Sequence, residues 1–276
     1  MVEDGYGVLR VEVDGGVAVA PIDAPPMNLL GPALLGALDA FTRDVAGDDR
    51  VRVVVLRSAD PEFFIAHGDV ELIAALPEGP PHLEATLNFV HRVVDRLRTL
   101  PKATIAQLEG FARGGGSEVA LACDMRFAAR GRAVLGQPEV GLGILPGAGG
   151  TVRLARLVGR ARAAEIILGG EDFSADLAQR YGWVNRALPP DELGPFVLRL
   201  ARRIAGFPLA AIAEAKAVLA EVERATSEQL VAEQNAFARL LAGPDARPRM
   251  RRFLAQGSQT REGERTLGAD LARLGE

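Results

Sequence analysis

Phe111-Ala112-Arg113-Gly114-Gly115-Gly116-Ser117-Glu118 follows an apolar run over residues 103–108 and opens an apolar segment that ends near Ala122. Three successive glycines cost backbone entropy, so they suit places where the chain needs an unusual φ/ψ or the close approach of another group. A helix beginning here would direct unpaired N–H groups, reinforced by the helix dipole, at an anion or a developing oxyanion. A plain strand-to-helix turn without a ligand fits the same residues. The spacing G-x-G-x-x-G is missing and no Gly-Lys-Ser/Thr occurs, so the segment is neither a dinucleotide fingerprint nor a P-loop.

Upstream of this turn, residues 8–13 and 17–22 read as strands flanking Asp14-Gly15-Gly16, a hairpin turn. Leu34, Leu35, Leu38, Phe41 and Val45 form one helical stripe over 32–45, and 51–56 reads as a fully buried strand. A helix over 82–100, ended by Pro101, leads to the strand 103–108 and a short helix over 116–122. Strands over 125–129 and 133–135 precede an irregular stretch, 137–150. This order predicts an α/β fold in which residues 1–190 form a spiral of β-β-α turns. From residue 191 to 276 only helices are predicted, near 192–204, 209–222, 227–241 and 249–255, with a polar helix over 259–267. Such a region would either cap the active site or serve as an oligomerisation platform.

A chain of 276 residues can bury a sizeable core, and 48% hydrophobic with 25% charged residues argues against disorder. The net charge of -4 makes nucleic acid an unexpected partner. Arg247, Arg249, Arg251 and Arg252, beside Pro244 and Pro248, read as a solvated or interface turn, or alternatively as a nucleotide-phosphate contact. Cys123 is the single cysteine, and His67, His82 and His91 lack metal-ligand spacing, so neither an internal disulfide nor a metal site is expected. The first ten residues do not resemble a signal peptide, and no run of about 18 apolar residues occurs. A cytoplasmic protein with no membrane partner is the expectation.

Gly136-Gln137-Pro138-Glu139-Val140-Gly141-Leu142-Gly143-Ile144-Leu145-Pro146-Gly147-Ala148-Gly149-Gly150-Thr151 is too rich in Gly and Pro for regular structure and too apolar for a solvated loop. Loops of this kind line pockets. Glu139 has few polar neighbours in sequence, and desolvation raises a carboxyl pKa toward the range useful for proton transfer. Glu118, in the first turn of its helix, either caps that helix or faces a cavity. Two carboxylates in one cleft can divide acid and base work, but the 21-residue spacing cannot by itself place them together.

Read together, G-G-G-S-E-V-A-L-A-C-D from Gly114 to Asp124 and G-Q-P-E-V-G-L-G-I-L-P-G-A-G-G-T-V-R-L from Gly136 to Leu154 resemble the signature of the enoyl-CoA hydratase/isomerase (crotonase) superfamily. Leu100-Pro101-Lys102-Ala103-Thr104-Ile105-Ala106 and Tyr181-Gly182-Trp183-Val184-Asn185 add to the resemblance, which spans about residues 8 to 220. It implies a crotonase-like β-β-α superhelix with a helical C-terminal region, assembled as a homotrimer or homohexamer. It also implies an acyl-CoA thioester substrate and no cofactor beyond the coenzyme A that the substrate carries. Carried over by position, Glu118 and Glu139 are the catalytic carboxylates, and Gly68 and Gly115 supply the oxyanion-hole N–H groups. Gly147 helps to place water, and Ala66, His67, Asp69, Gly114 and Pro138 contact substrate. The presence of both glutamates favours a hydratase over an isomerase, which can work with a single acid/base group, or another crotonase reaction on the same scaffold. A non-catalytic acyl-CoA-binding homologue is the rival from another class.

Two stretches depart from the family pattern. Phe63-Phe64-Ile65-Ala66-His67-Gly68-Asp69 has A-H-G-D where A-G-x-D is usual, so His67 either points outward or reaches the coenzyme or acyl group. Arg113 reads as a surface residue rather than a substrate clamp. Beyond about residue 243 the compact family ending is not evident, which leaves acyl length open.

Overall fold

Each turn of the chain spends one strand on each of two sheets, and this alternation makes the spiral. The computed structural model describes residues 5–222 and 227–273. The chain starts with the hairpin of β1 (Glu12–Asp14) and β2 (Val17–Ile22), followed by α1 (Pro32–Ala46). The next turn comprises β3 (Val53–Ser58), β4 (Phe63–Ile65), α2 (Val70–Ala74) and α3 (Phe89–Thr99). After it come β5 (Ala103–Leu108), β6 (Phe111–Arg113) and α4 (Gly115–Ala122), then β7 (Met125–Ala129) and β8 (Val134–Gly136). A 3-10 turn, Glu139–Leu142, leads to α5 (Gly150–Val158), α6 (Arg160–Gly169), β9 (Phe173–Ser174), α7 (Ala175–Tyr181) and β10 (Arg186–Leu188). The chain then turns helical: α8 (Pro190–Ala205), α9 (Leu209–Val222), α10 (Ser227–Ala242), α11 (Ala246–Ala255) and α12 (Arg261–Arg273).

The larger sheet has the order β1-β2-β3-β5-β7-β10 and the smaller β4-β6-β8-β9. Within them β2 to β3, β3 to β5, β5 to β7, β4 to β6 and β6 to β8 are all parallel. Parallel strands need both faces covered, and every residue of β5 is buried. On one face α1, α3 and α4 pack a core that includes Leu38, Phe41, Val54, Leu97, Ala106 and Ala120. On the other, Leu193, Val197 and Ala201 of α8 cover Val53, Val55, Ile105 and Phe127. A third cluster joins the last helices to the site loops: Met250, Phe253 and Leu267 meet Val70, Leu142 and Ile144. The C-terminal helices thus return to the edge of the sheet where β4 and β6 end.

The expected β-β-α spiral is what the chain forms, with differences of extent. The helix expected over 82–100 begins only at Phe89, because the Asn88 side chain caps it by accepting the His91 N–H at 3.0 Å. The helices α5, α6 and α7 and the strands β9 and β10, none of them assigned from sequence, lie between residues 150 and 188. The arginine run is not a turn: it lies on α11, with Pro248 in the first helical turn, where a missing N–H is tolerated. Arg247 donates to the Ala74 carbonyl and Arg249 to that of Gly141, so these two side chains tie α11 to α2 and to the 3-10 turn.

Candidate active site

Helix α4 begins where β6 ends, and its approach to the loop after β4 requires small residues. Gly114, the N-cap, has φ 46°, in the left-handed region, and a Cβ there would lie 2.9 Å from Glu139 Oε1. A Cβ on Gly115 would come within 2.8 Å of Leu30 Cδ2 and 3.3 Å of the Gly68 nitrogen, and one on Gly116 within 2.0 Å of the Ile65 carbonyl oxygen. The first N–H groups of a helix have no carbonyl one turn back to bond, which leaves that of Gly115 directed out of the helix end.

Gly68 reaches the same place from the other side. Leu30 and Gly68 form a parallel bridge in which the Leu30 N–H donates to the His67 carbonyl at 2.9 Å and the Asp69 N–H to the Leu30 carbonyl at 3.4 Å. In that pattern the N–H of Gly68 itself points away from Leu30. Gly68 and Gly115 both line a cavity of about 350 Å³ with Gly114, Glu118, Pro138, Glu139 and Gly147. Its apolar walls include Leu142, Ile144, Phe237, Phe253 and Leu267, a combination of a few convergent polar groups and an apolar lining that is usual for a small-molecule site.

Both glutamates predicted from sequence are buried in this cavity, 3% and 8% exposed. Glu118 Oε1 accepts the N–H groups of Ala148 and Gly150, each at 2.7 Å. Burial and then the charge of Glu233 push the Glu118 carboxyl up to about 7, against the pull of those two donors. Glu139 lies well above the ordinary carboxyl range, through burial first and then the charges of Glu118 and Glu233. The Gln137 amide, oriented by its surroundings with the NH2 toward Glu139, donates to both of its carboxyl oxygens at 3.1 Å.

Glu233, on α10, escaped the sequence reading. Its oxygens accept the N–H groups of Gly149 at 2.6 Å and Val152 at 3.0 Å, and His91 Nε2 stands 3.4 Å away. Nothing local marks it, because its partners lie more than 80 positions earlier in the chain.

Of the residues named from sequence around this turn, Arg113 departs from expectation. Ala66 does not line the cavity; it packs with Met27 and Phe63, its N–H donating to Met27 and its carbonyl accepting from Arg113. His67 does not point outward: it lines the cavity and is buried, with Nδ1 2.7 Å from the Gly68 carbonyl and Nε2 2.9 Å from Glu264 Oε1. Arg113 is wholly buried rather than a surface residue, because Asp172 and Glu264 surround its guanidinium with acceptors. Asp69 lines the cavity and caps α2, accepting the Leu72 N–H at 3.3 Å. Among the described residues no three His, Cys, Asp or Glu side chains are arranged to hold a metal ion, and no helix is long and apolar enough to cross a membrane.

A model of the enoyl-CoA hydratase/isomerase family matches residues 12–262. The chain is 34% identical to a short-chain-enoyl-CoA hydratase of Clostridium acetobutylicum, over 88% of this chain and 93% of that one. It is 35% identical to a crotonyl-CoA hydratase of Syntrophomonas wolfei, over 90% and 95% of the two. The crystal structure of a candidate enoyl-CoA hydratase from Streptomyces avermitilis superposes with a TM-score of 0.89 at 40% identity, covering 98% of this chain and 99% of that one.

Proposed function

Because the chain belongs to the enoyl-CoA hydratase/isomerase family, we propose that it is a hydratase that adds water across the C2–C3 double bond of a 2-enoyl-CoA thioester. The observation that carries this reading is the pair of buried carboxyl groups, Glu118 and Glu139, both raised above their ordinary range in one cavity beside the Gly68 and Gly115 peptides. Migration of a double bond needs one proton-carrying group, whereas hydration is helped by two. The hydratase relatives from Clostridium and Syntrophomonas support the same choice.

The two glutamates differ in a way that suggests their order of action. Glu118 is supported by two backbone donors, which favour its ionised form, so it is the group that takes a proton from water as oxygen attacks C3. The C2–C3 π electrons pass through the carbonyl to the thioester oxygen, where the N–H groups of Gly68 and Gly115 stabilise the enolate. Glu139, whose ionisation is opposed by burial and then by the charges of Glu118 and Glu233, then gives its proton to C2. The N–H of Gly147 helps to place the water. One proton leaves the water and one reaches C2, so the two carboxyl groups need only exchange a proton with each other or with solvent to reset.

The thioester itself activates C3 and acidifies C2, so this chemistry calls for no cofactor other than the coenzyme A of the substrate. We place the enzyme in the cytoplasm as a homotrimer or homohexamer; the exposed Val218 and Leu219 on α9 offer an apolar face for such contacts. The test is loss of the 2-enoyl thioester absorbance with short- and medium-chain substrates. Rapid loss with formation of the 3-hydroxyacyl-CoA supports the hydratase. Movement of a 3-enoyl bond without hydration would assign an isomerase, and binding without turnover would assign another crotonase reaction or a non-catalytic homologue.

A further inference from the structure

His67, Glu264 and Arg113 take no part in the reaction just described, yet they form a buried chain of polar contacts at its edge. Glu264 is on α12, and its side chain is wholly buried. One of its oxygens accepts from His67 Nε2 at 2.9 Å and from the Gln259 N–H at 3.0 Å; the other lies 3.3 Å from Arg113 Nη1. Arg113 also donates to the Glu264 carbonyl at 2.9 Å and, with Nε and Nη2, to both oxygens of Asp172 at 2.7 Å.

The chain of contacts reaches the Gly68 carbonyl on one side and, through Arg113, the end of the strand that leads into Gly115 on the other. On one side the His67 ring holds the Gly68 carbonyl at 2.7 Å, while the Leu30 bridge holds the His67 carbonyl, so the peptides before and after Gly68 are both anchored. Both ring nitrogens face oxygen atoms, the Gly68 carbonyl and the Glu264 carboxyl group. On the other side Arg113 stands two residues before Gly115, at the last position of β6. Gln259 adds a second tie to the Gly68 loop, donating to Asp69 at 3.0 Å and accepting the Val70 N–H at 2.8 Å. At its exposed end α12 is held by Arg261 and Arg265, which bond Asp60 and Glu62 just before β4.

We propose that α12 is part of the oxyanion machinery: through Glu264 it sets His67 and Arg113, and so the separation and direction of the Gly68 and Gly115 N–H groups. The three are positioning residues, and the inference rests on the reading of those two glycines as the oxyanion pair. A buried ion cluster is favourable only when complete, since removing one member strands the others without solvent. Docking of α12 is therefore coupled to the geometry of both donors at once. Stabilisation of a developing oxyanion is sensitive to donor placement within fractions of an ångström, whereas binding of the remainder of the thioester is not.

The test compares wild type, Glu264→Gln and the double variant Arg261→Ala/Arg265→Ala on two readouts. The first is kcat and KM with a short 2-enoyl-CoA; the second is the near-ultraviolet enolate band of bound acetoacetyl-CoA, which reports polarisation of the thioester oxygen without turnover. For Glu264→Gln we expect kcat to fall by more than about fivefold with KM changed less than about threefold, and the enolate band to weaken in parallel. A folded Glu264→Gln protein that keeps kcat within that factor, or that loses it with the enolate band intact, overturns the proposal. Should that variant fail to fold, the exposed double variant decides: a loss of about twofold or more in kcat with a weaker band supports the proposal, and unchanged kcat or an unchanged band overturns it. The enolate readout also separates this inference from the proposed reaction. Wild type that polarises acetoacetyl-CoA in an α12-dependent way without hydrating enoyl-CoA keeps the one and removes the other.

Discussion

Glu118 and Glu233 interleave their grip on a single loop: Glu118 takes the N–H groups of Ala148 and Gly150, and Glu233 those of Gly149 and Val152. Two negative groups are thereby held close in a buried place, one on α4 and the other on α10. Their mutual repulsion is offset by the four peptide donors between them and is felt in proton affinity.

Neutralising Glu233 should move the pH profile. Its charge is the second cause, after burial, of the rise of Glu118 to about 7. In Glu233→Gln that repulsion is gone, so Glu118 ionises at lower pH. The acid limb of kcat/KM, which reports ionisation of the base in the free enzyme, is expected near pH 7 in wild type and below it in the variant. A limb that stays in place would show that Glu118 is not the base or does not feel Glu233.

Replacing either proposed catalytic carboxyl should separate chemistry from binding. Glu118→Gln and Glu139→Gln are each expected to lower kcat by about 10²–10⁴-fold, the usual contribution of a positioned acid or base. Affinity for a saturated acyl-CoA, measured by calorimetry, should stay within about threefold. Unchanged turnover in one variant removes that residue from the mechanism.

The same substitution at Glu139 should raise stability at alkaline pH. Its folded-state pKa lies above the ordinary 4.5, so the stability it contributes is present in full below that value and is lost as pH rises through the folded value. At pH 8 the carboxyl of the unfolded chain is ionised, whereas burial and then the charges of Glu118 and Glu233 oppose that ionisation in the folded protein, a penalty that Glu139→Gln does not carry. The melting temperature of the variant should exceed that of wild type at pH 8, with the gap closing toward pH 4. A variant less stable than wild type at pH 8 contradicts this account.

Neighbouring glycines should fail in different ways. A methyl group at Gly115 meets the end of the flexible Leu30 side chain at 2.8 Å and the Gly68 nitrogen at 3.3 Å. Gly115→Ala should therefore fold, yet crowd the donor pair and lower kcat by about 10²-fold or more, comparable to losing one oxyanion donor. A methyl at Gly116 meets the Ile65 carbonyl oxygen at 2.0 Å, which cannot move without shifting β4. Gly116→Ala should cost about 1–3 kcal/mol or more in chemical denaturation. Kinetics and unfolding measured on both proteins check the distinction.

The spiral order, the hairpin at Gly15-Gly16 and the two loops bearing Glu118 and Glu139 were legible along the chain, because each rests on local periodicity or on residues with restricted backbone preference. The helices between residues 150 and 181 were not recognised, although the amphipathic α5 carries Leu154 and Val158 on its buried face. Inside the site the boundary is sharper. That Glu139 would be desolvated followed from its apolar neighbours, and the raised value agrees. That Glu233 would stand beside Glu118, that His67 would turn to Glu264, and that Arg113 would be buried depended on partners from 59 to 197 positions away. By itself the sequence determined the order of the spiral's first turns, the family and, through it, the expectation of a carboxyl pair, since short-range sterics and a distinctive run of residues suffice for those. The tertiary structure decided how the C-terminal helices close on the Gly68 loop and which charges share its interior, because buried ion pairs are selected by where distant segments meet and leave no mark on the spacing of the residues that form them.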